Sequence, residues 1–553
     1  MTPTPPADPE ARPAKTANIP EARGTSPYDW LSLGLFTGVA VLIVATFLDY
    51  GLSWDEPLHS EYGRLIIRYY ASFFADWGAI DGPNALVFYG GFFDAPVELL
   101  ARYSPLGWFG TRRLATASVG LLGIVGCWRL GRLLGGPAAG FWAALFLVLT
   151  PAYYGHMFMN PKDIPFATGT VWTLYFLSGT VARLPNPPPG LVLKLGLVMG
   201  WTLGVRFGGI LLVAYFGLMS LAHLGLVALR RPGAKALVRE TAGTAWVALA
   251  TLLIAYAMMI LLWPAALESP VTAILNALRA TTSHPWNHTV LFKGEYVQAV
   301  ALPADYIPVY FGVKLPEFIL LALAFALPLT AFRIRRAVRE GDRSRVGGYA
   351  AVILGVFLPL SYAVIFNTTH YGGIRHFLFT IPPMVCLAGV AMAELARFLA
   401  GHRLAVRIPA AIALVGALLY HIHLMVALHP YEYVYYNRLT GGTPGAAGRF
   451  EMDYWVTSFK EAAAALSDLA ADPERIGRLV SHDPPYRVEV CGPEFSLVHF
   501  LSPPGIFKPP KNGQADFFVA TTRWKCDQKR AGPVVARVER FGTTLAVIKL
   551  AGR

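Results

Sequence analysis

Eleven long apolar runs decide what this chain can become. The first, Trp30 to Leu48, holds no charged residue and is about as long as the ~20 residues an α-helix needs to cross a bilayer. The others lie near 112–132, 137–150, 164–183, 191–205, 207–229, 241–263, 310–332, 347–366, 376–396 and 404–428, the third and fifth of the eleven being short. A water-soluble fold is excluded, because 553 residues of which 55% are hydrophobic and 15% charged leave too little polar surface. The expectation is an all-α polytopic membrane domain of about eleven transmembrane helices over 29–429.

The net charge of +13 does not call for nucleic acid, since Lys and Arg of membrane proteins gather in cytoplasmic loops. With the N-terminus cytoplasmic, one set of connections carries Arg129 and Arg132, then Arg183 and Lys194, then Arg230, Arg231, Lys235 and Arg239. Arg333, Arg335, Arg336, Arg339, Arg343 and Arg345 follow, then Arg397, Arg403 and Arg407. The opposite loops are sparse, with Lys162, Arg206 and Arg375 each alone in one. An odd number of crossings then leaves everything after about His429 outside the cytoplasm. Residues 1–28, rich in Pro and Ala, read as a disordered cytoplasmic tail without the pattern of a signal peptide.

Three external segments are long. Residues 49–111 carry an apolar helical stripe, Leu65, Ile66, Tyr69, Tyr70, Phe73, Phe74 and Trp77, suited to a membrane interface or to ordinary packing. Residues 264–309 pair a similar stripe with a stretch rich in His and aromatic residues. From 430 to 553 the chain changes character. An Ala-rich helix over 459–471 and strands over 487–490, 516–520, 534–541 and 544–550 indicate a small extracytoplasmic α/β domain. Of four cysteines, Cys127 and Cys386 fall in apolar runs, whereas Cys491 and Cys526 fall in this domain, where an oxidising compartment permits a bridge.

Polar chemistry collects on the external side. Ser53-Trp54-Asp55-Glu56-Pro57 sets two carboxylates just past the first run, where they either cap the following helix or act. Neighbours on a helix point about 100° apart, so Asp55 and Glu56 cannot both take a proton from one hydroxyl. One is the base, and the other a supporting or metal-binding group. Met159-Asn160-Pro161-Lys162-Asp163 presents amide, ammonium and carboxylate from a Pro-restricted turn, with a helix-capping Asp163 as the plainer reading. Asn367 to His376 (NTTHYGGIRH) brings Arg375 and His376 to the mouth of another run, with glycines at 372 and 373 allowing close backbone approach, though such an arginine also snorkels to head groups. External carboxylates beside cations suit sugar transfer from a lipid phosphate: a carboxylate accepts the acceptor's proton and cations stabilise the departing phosphate.

These motifs resemble those of GT-C glycosyltransferases, in the branch of protein O-mannosyltransferases and lipid A aminoarabinose transferases. SWDEP matches the acidic motif of the first external loop, with His59 one residue further along than in the mannosyltransferases. Asp163 stands at the second acidic motif, Arg375 fits a late Arg-aromatic pair with His376 in place of Tyr, and 429–460 is similar to a segment of bacterial members. The resemblance implies an inverting transferase of the bacterial inner membrane. Its donor would be a polyprenyl-phosphate sugar and its acceptor lipid A, protein or polysaccharide. Asp55, Glu56 and Asp163 would be catalytic, Asn160, Lys162, Arg375, His376 and His59 substrate-binding, and a divalent metal is possible. A transporter or flippase of lipid-linked glycans is the alternative, although such proteins carry ionisable residues at mid-membrane. A glycan-binding receptor is a third reading.

Overall fold

A computed structural model describes residues 25–82, 85–282, 286–511 and 513–551. Most of the tail expected over 1–28 lies outside the described residues. All eleven apolar runs are helical. Among the described residues, eight helices are long and apolar enough to cross a membrane: Pro27–Thr46, Gly107–Gly135, Phe207–Leu229, Ala234–Ile260, Glu317–Glu340, Arg343–Ile365, Arg375–Ala400 and Leu404–Leu428. A ninth exists if Pro137–Val148 and Pro151–Met159, bent by 65°, count as one span.

The three runs outside the eight have visible reasons. The 137–150 run gives a helix of only 12 residues, Pro137–Val148, because Pro151 begins a new helix just beyond it. Pro189–Val205 has only 17 residues. Asp163–Val181 spends positions on Thr168, Thr170, Thr173, Ser178 and Thr180. Their hydroxyls are tied down locally: Thr173 donates to Gly169 O at 2.7 Å and Ser178 to Leu174 O at 2.7 Å. Pro137–Val148 and Asp163–Val181 sit in the interior against Ile381–Ala400, part of the candidate span whose apolar window is the most buried. Pro189–Val205 instead packs on Ala234–Ile260 and leaves Leu193 and Leu197 exposed.

The two ends of the bundle differ. At one, Asp29 pairs with Arg132, and a cavity of about 800 Å³ is lined by Asp29, Arg129, Arg132, Asp342 and Arg345. At the other, the loop after Pro27–Thr46 meets residues 429–460, which run back across the helix ends. Gly51 is required there, because a Cβ would lie 2.1 Å from Thr457 O. Lys314 Nζ anchors the same segment, donating to Tyr433 O at 3.0 Å and Tyr435 O at 2.9 Å, and burial pushes its ammonium well below the usual lysine range. Asp453 fastens the segment's far side, accepting from the Ser458 amide at 3.0 Å and from the Tyr433 hydroxyl.

The C-terminal part is a small sheet domain on this second end. Strands β3 (Tyr486–Cys491), β4 (Phe507–Lys508), β5 (Phe517–Thr521), β6 (Val534–Arg540) and β7 (Thr543–Leu550) form one sheet in the order β4-β3-β5-β7-β6. The expected four strands are present; β4 and an outlying hairpin of β1 (Thr289–Phe292) and β2 (Glu295–Gln298) were too short to read. Cys491 and Cys526 are joined in a disulfide, while Cys127 and Cys386 are free and buried. The helix Glu56–Ala71 packs rather than floats: Ile66 and Tyr69 are fully buried, while Phe73, Phe74 and Trp77 beyond its end are exposed.

Candidate active site

Asp55 is the N-cap residue of Glu56–Ala71, yet its side chain makes no capping hydrogen bond. Arg375 Nη1 donates to Asp55 Oδ2 at 3.1 Å, and Lys162 Nζ stands 3.5 Å from the same oxygen. The plain capping reading of SWDEP therefore fails for Asp55. Burial alone would raise this carboxyl, but Lys162, Arg375 and then His59 hold it well below the usual carboxylate range. Burial likewise opposes the charge on Lys162, but Asp55, Tyr89 and Asp163 together outweigh it, lifting the ammonium above its ordinary value.

Glu56 faces elsewhere. Its carboxylate accepts from the Ser53 amide at 2.9 Å and hydroxyl at 3.0 Å and is ion-paired with Arg113, all of them buried. Neighbouring in sequence, the two carboxylates share no partner among these bonds. Expected beside Asp55 as a catalytic or metal-binding group, Glu56 is placed in a buried pair with Arg113 under the loop that carries it.

Asn160 does the capping that was expected of Asp163. Its Oδ1 accepts from the backbone amides of Asp163 at 2.8 Å and Lys162 at 3.3 Å, and its Nδ2 donates to Asp163 Oδ2 at 3.0 Å. Asp163 is freed to pair with Arg206 on one oxygen, while Arg375 Nε lies 3.9 Å from the other. Asn160 is fully buried, so it shapes the site from beneath rather than from its surface.

Arg375 is the hub. Besides Asp55 and Asp163 it reaches His376 Nε2 at 3.3 Å, and its guanidinium lies 4.9 Å from the Tyr371 ring centre and 5.1 Å from that of Trp455. Gly372, at φ +68°, adopts the turn that a side chain would resist, and its amide donates to Glu451 at 3.1 Å. His376 leans on His370 at 3.4 Å, and burial lowers His370 to about 4. His59 lies one helical turn past Asp55, its Nδ1 2.7 Å from Asp94, which also accepts from Arg112 at 3.0 Å. Its Nε2 is buried without a partner among the described residues.

Sequence reasoning missed Arg206, Glu451, Tyr454, Trp455 and Arg523. Glu451 receives Gly372, lies 3.5 Å from Arg523, and is raised above the usual glutamate value by burial. Tyr454 OH lies 2.8 Å from His156 Nε2. The signal was the tyrosines and acids crowded into 429–460, a density that a solvated linker has no use for. Around Asp55, three cations (Lys162, Arg206, Arg375) face two carboxylates (Asp55, Asp163), one positive charge in excess. Among the described residues no three His, Cys, Asp or Glu side chains are grouped to hold a metal ion, and cations of the chain itself occupy the carboxylates.

No family model and no curated protein matches the chain. Among solved structures, it is similar to apo ArnT from Cupriavidus metallidurans, with TM-score 0.48 and 17% identity, covering 94% of this chain and 99% of that one. It is similar to the same protein bound to undecaprenyl phosphate, with TM-score 0.46, 17% identity and coverage of 96% and 100%. The archaeal oligosaccharyltransferase AglB from Archaeoglobus fulgidus, in complex with an inhibitory peptide and a dolichol-phosphate, gives TM-score 0.43 and 12% identity, covering 89% of this chain and 69% of that one.

Proposed function

We propose that this protein is a membrane glycosyltransferase that moves a sugar from a polyprenyl-phosphate donor to an acceptor hydroxyl, with inversion. The observation that carries the reading is Asp55 held uncapped between Lys162 and Arg375 at the end of the bundle opposite the Arg-rich connections. In the reaction, Asp55 takes the proton of the acceptor hydroxyl as its oxygen bonds to the anomeric carbon. The bond from that carbon to the phosphate oxygen breaks, and the departing phosphate keeps the electron pair. Lys162 and Arg375 neutralise it, and the excess positive charge around Asp55 suits the arrival of an anion. Asp163, itself paired with Arg206, holds Arg375 from behind. A transporter would place ionisable groups at mid-membrane, whereas these gather at one end.

The site then lies on the periplasmic face of an inner membrane, with the N-terminus cytoplasmic. The test is Asp55→Asn, assayed for transfer from a polyprenyl-phosphate sugar in membranes. A positioned base contributes about 10²- to 10⁴-fold, so turnover should fall by that order while donor binding persists. A well-folded variant that transfers at the wild-type rate would remove Asp55 from the reaction.

A further inference from the structure

Four aromatic side chains from four separate segments meet beside Asp55. Trp54 precedes it in sequence, Tyr371 lies under the guanidinium of Arg375, Trp286 leads into β1, and Trp524 comes from the C-terminal domain. Trp286 stacks on Tyr371 with ring centres 4.1 Å apart and planes at 15°. Trp524 lies 6.4 Å from Trp286 and 6.4 Å from Trp54, closing a chain of rings that runs from Tyr371, against Arg375, to Trp54, the residue before Asp55. His288 stacks on Trp524 at 5.5 Å, and Arg523 lies 4.2 Å from the Trp524 ring centre.

These rings are not a sealed core. Trp54, Trp286, Tyr371 and Trp524 are each half-buried and His288 is exposed, unlike Tyr50 or Trp263, which are fully enclosed. Trp524 and Lys525 sit at φ 52° and 53°, a left-handed conformation that bulky residues adopt only when their surroundings impose it. Trp524 is held there by its Nε1–H, which donates to Thr289 O at 2.8 Å, and by the bridged Cys526 two residues on. Trp54 Nε1 is a buried donor with no acceptor among the described residues. An indole N–H can only donate, so this group lacks an oxygen.

Half-buried aromatic side chains, polar groups at their edge (Arg523 and His288) and a donor without an acceptor match the surface of a pyranose. One face of such a sugar presents C–H bonds that lie against aromatic rings, and its rim presents hydroxyls. We propose that Trp54, Trp286, Tyr371 and Trp524 form the acceptor subsite and that the acceptor is a carbohydrate. The inference rests on the glycosyltransferase reading, and it makes the C-terminal domain part of acceptor recognition.

The test is binding, independent of transfer. Full-length protein in nanodiscs is examined by saturation-transfer NMR with mannobiose and chitobiose, each free and carried on a dodecyl chain, and with a Ser/Thr peptide. At least one disaccharide should saturate in wild type and in Asp55→Asn, and Trp524→Ala should weaken its binding by about tenfold, with Trp524→Phe intermediate. Binding of the free sugar points to a saccharide chain, and binding only of the alkyl-linked form to a glycolipid; either supports the subsite. Because Trp524→Ala also loses the bond to Thr289, Trp286→Leu provides a second variant, with thermal melting as control. Saturation by the peptide alone, or by no probe, or equally in wild type and both variants, overturns the proposal. Tryptophan-dependent sugar binding in a protein that transfers no sugar would keep the subsite and sink the enzymatic reading instead.

Discussion

Arg375 donates from Nη1 to Asp55 Oδ2 at 3.1 Å across 320 residues of sequence, and Lys162 stands 3.5 Å from that same oxygen. Paired in this way, the group best placed to accept a proton is a poor base. Its two cations are also the groups suited to a phosphate. A donor whose phosphate draws Lys162 and Arg375 away would leave Asp55 in a half-buried place with less positive charge beside it. Its proton affinity would then rise when it is needed, so that donor binding switches the base on.

That exchange has a signature in pH. kcat/KM reports the free enzyme and kcat the bound complex. The depressed free-enzyme carboxyl stays ionised well below the ordinary aspartate value of ~3.9, so kcat/KM should show no acid limb near that pH from Asp55. With the donor bound, the limb in kcat should move to higher pH. Coincident acid limbs in the two profiles would show that the cations do not leave Asp55.

Lys162→Ala and Arg375→Ala should act on donor use. A hydrogen bond to a charged group contributes ~1.5–3 kcal/mol, so donor KM should rise by about 10- to 100-fold for each. Unchanged donor KM in both variants, with fold intact, would place the phosphate elsewhere.

Glu56→Gln should damage stability rather than chemistry. Arg113 and Glu56 are both buried, and removing one partner of a buried pair costs about 3–5 kcal/mol because the other charge is left uncompensated. The thermal midpoint should drop clearly, while turnover per folded molecule changes little. The opposite pattern, a stable protein with lost turnover, would return Glu56 to the reacting centre.

Orientation is open to fusion reporters. The Arg-rich connections lie at the end opposite Asp55, and the charge bias of cytoplasmic loops predicts a periplasmic C-terminal domain. A phosphatase fused after Arg553 should be active there, and activity of a cytoplasm-only reporter at the same position would reverse the topology.

Much of this was legible because hydrophobicity and charge act locally. Helices over all eleven runs, the sheet domain and the Asp55, Lys162 and Arg375 trio follow from runs, turns and side-chain chemistry that a sequence displays. What was not legible depends on distance. Glu56 reads as Asp55's partner until Arg113, 57 residues away, is seen to hold it. Asp163 reads as a cap until Asn160 takes that duty. Trp286 and Trp524 carry no local mark of a shared purpose, since only the fold brings 264–309 and the C-terminal domain together over the site.

The disulfide connects these levels. Cys491 ends β3, and Cys526 lies in the turn after β5, two residues past Trp524. β3 and β5 are parallel neighbours, so the bridge fixes the turn to the far side of the strand pair. By the loop-closure estimate, a link across 35 residues stabilises by about 4 kcal/mol, in a small domain whose core is modest. Replacing both cysteines with serine should therefore speed amide exchange in β3, β5 and β7 and hasten proteolysis there. Exchange in Ile381–Ala400, deep in the bundle, should not change. Because the freed turn carries Trp524, acceptor KM should rise more than donor KM. Identical exchange in the bridged protein and the double serine variant would mean that the sheet alone holds the turn, and the bridge would have no part in positioning Trp524.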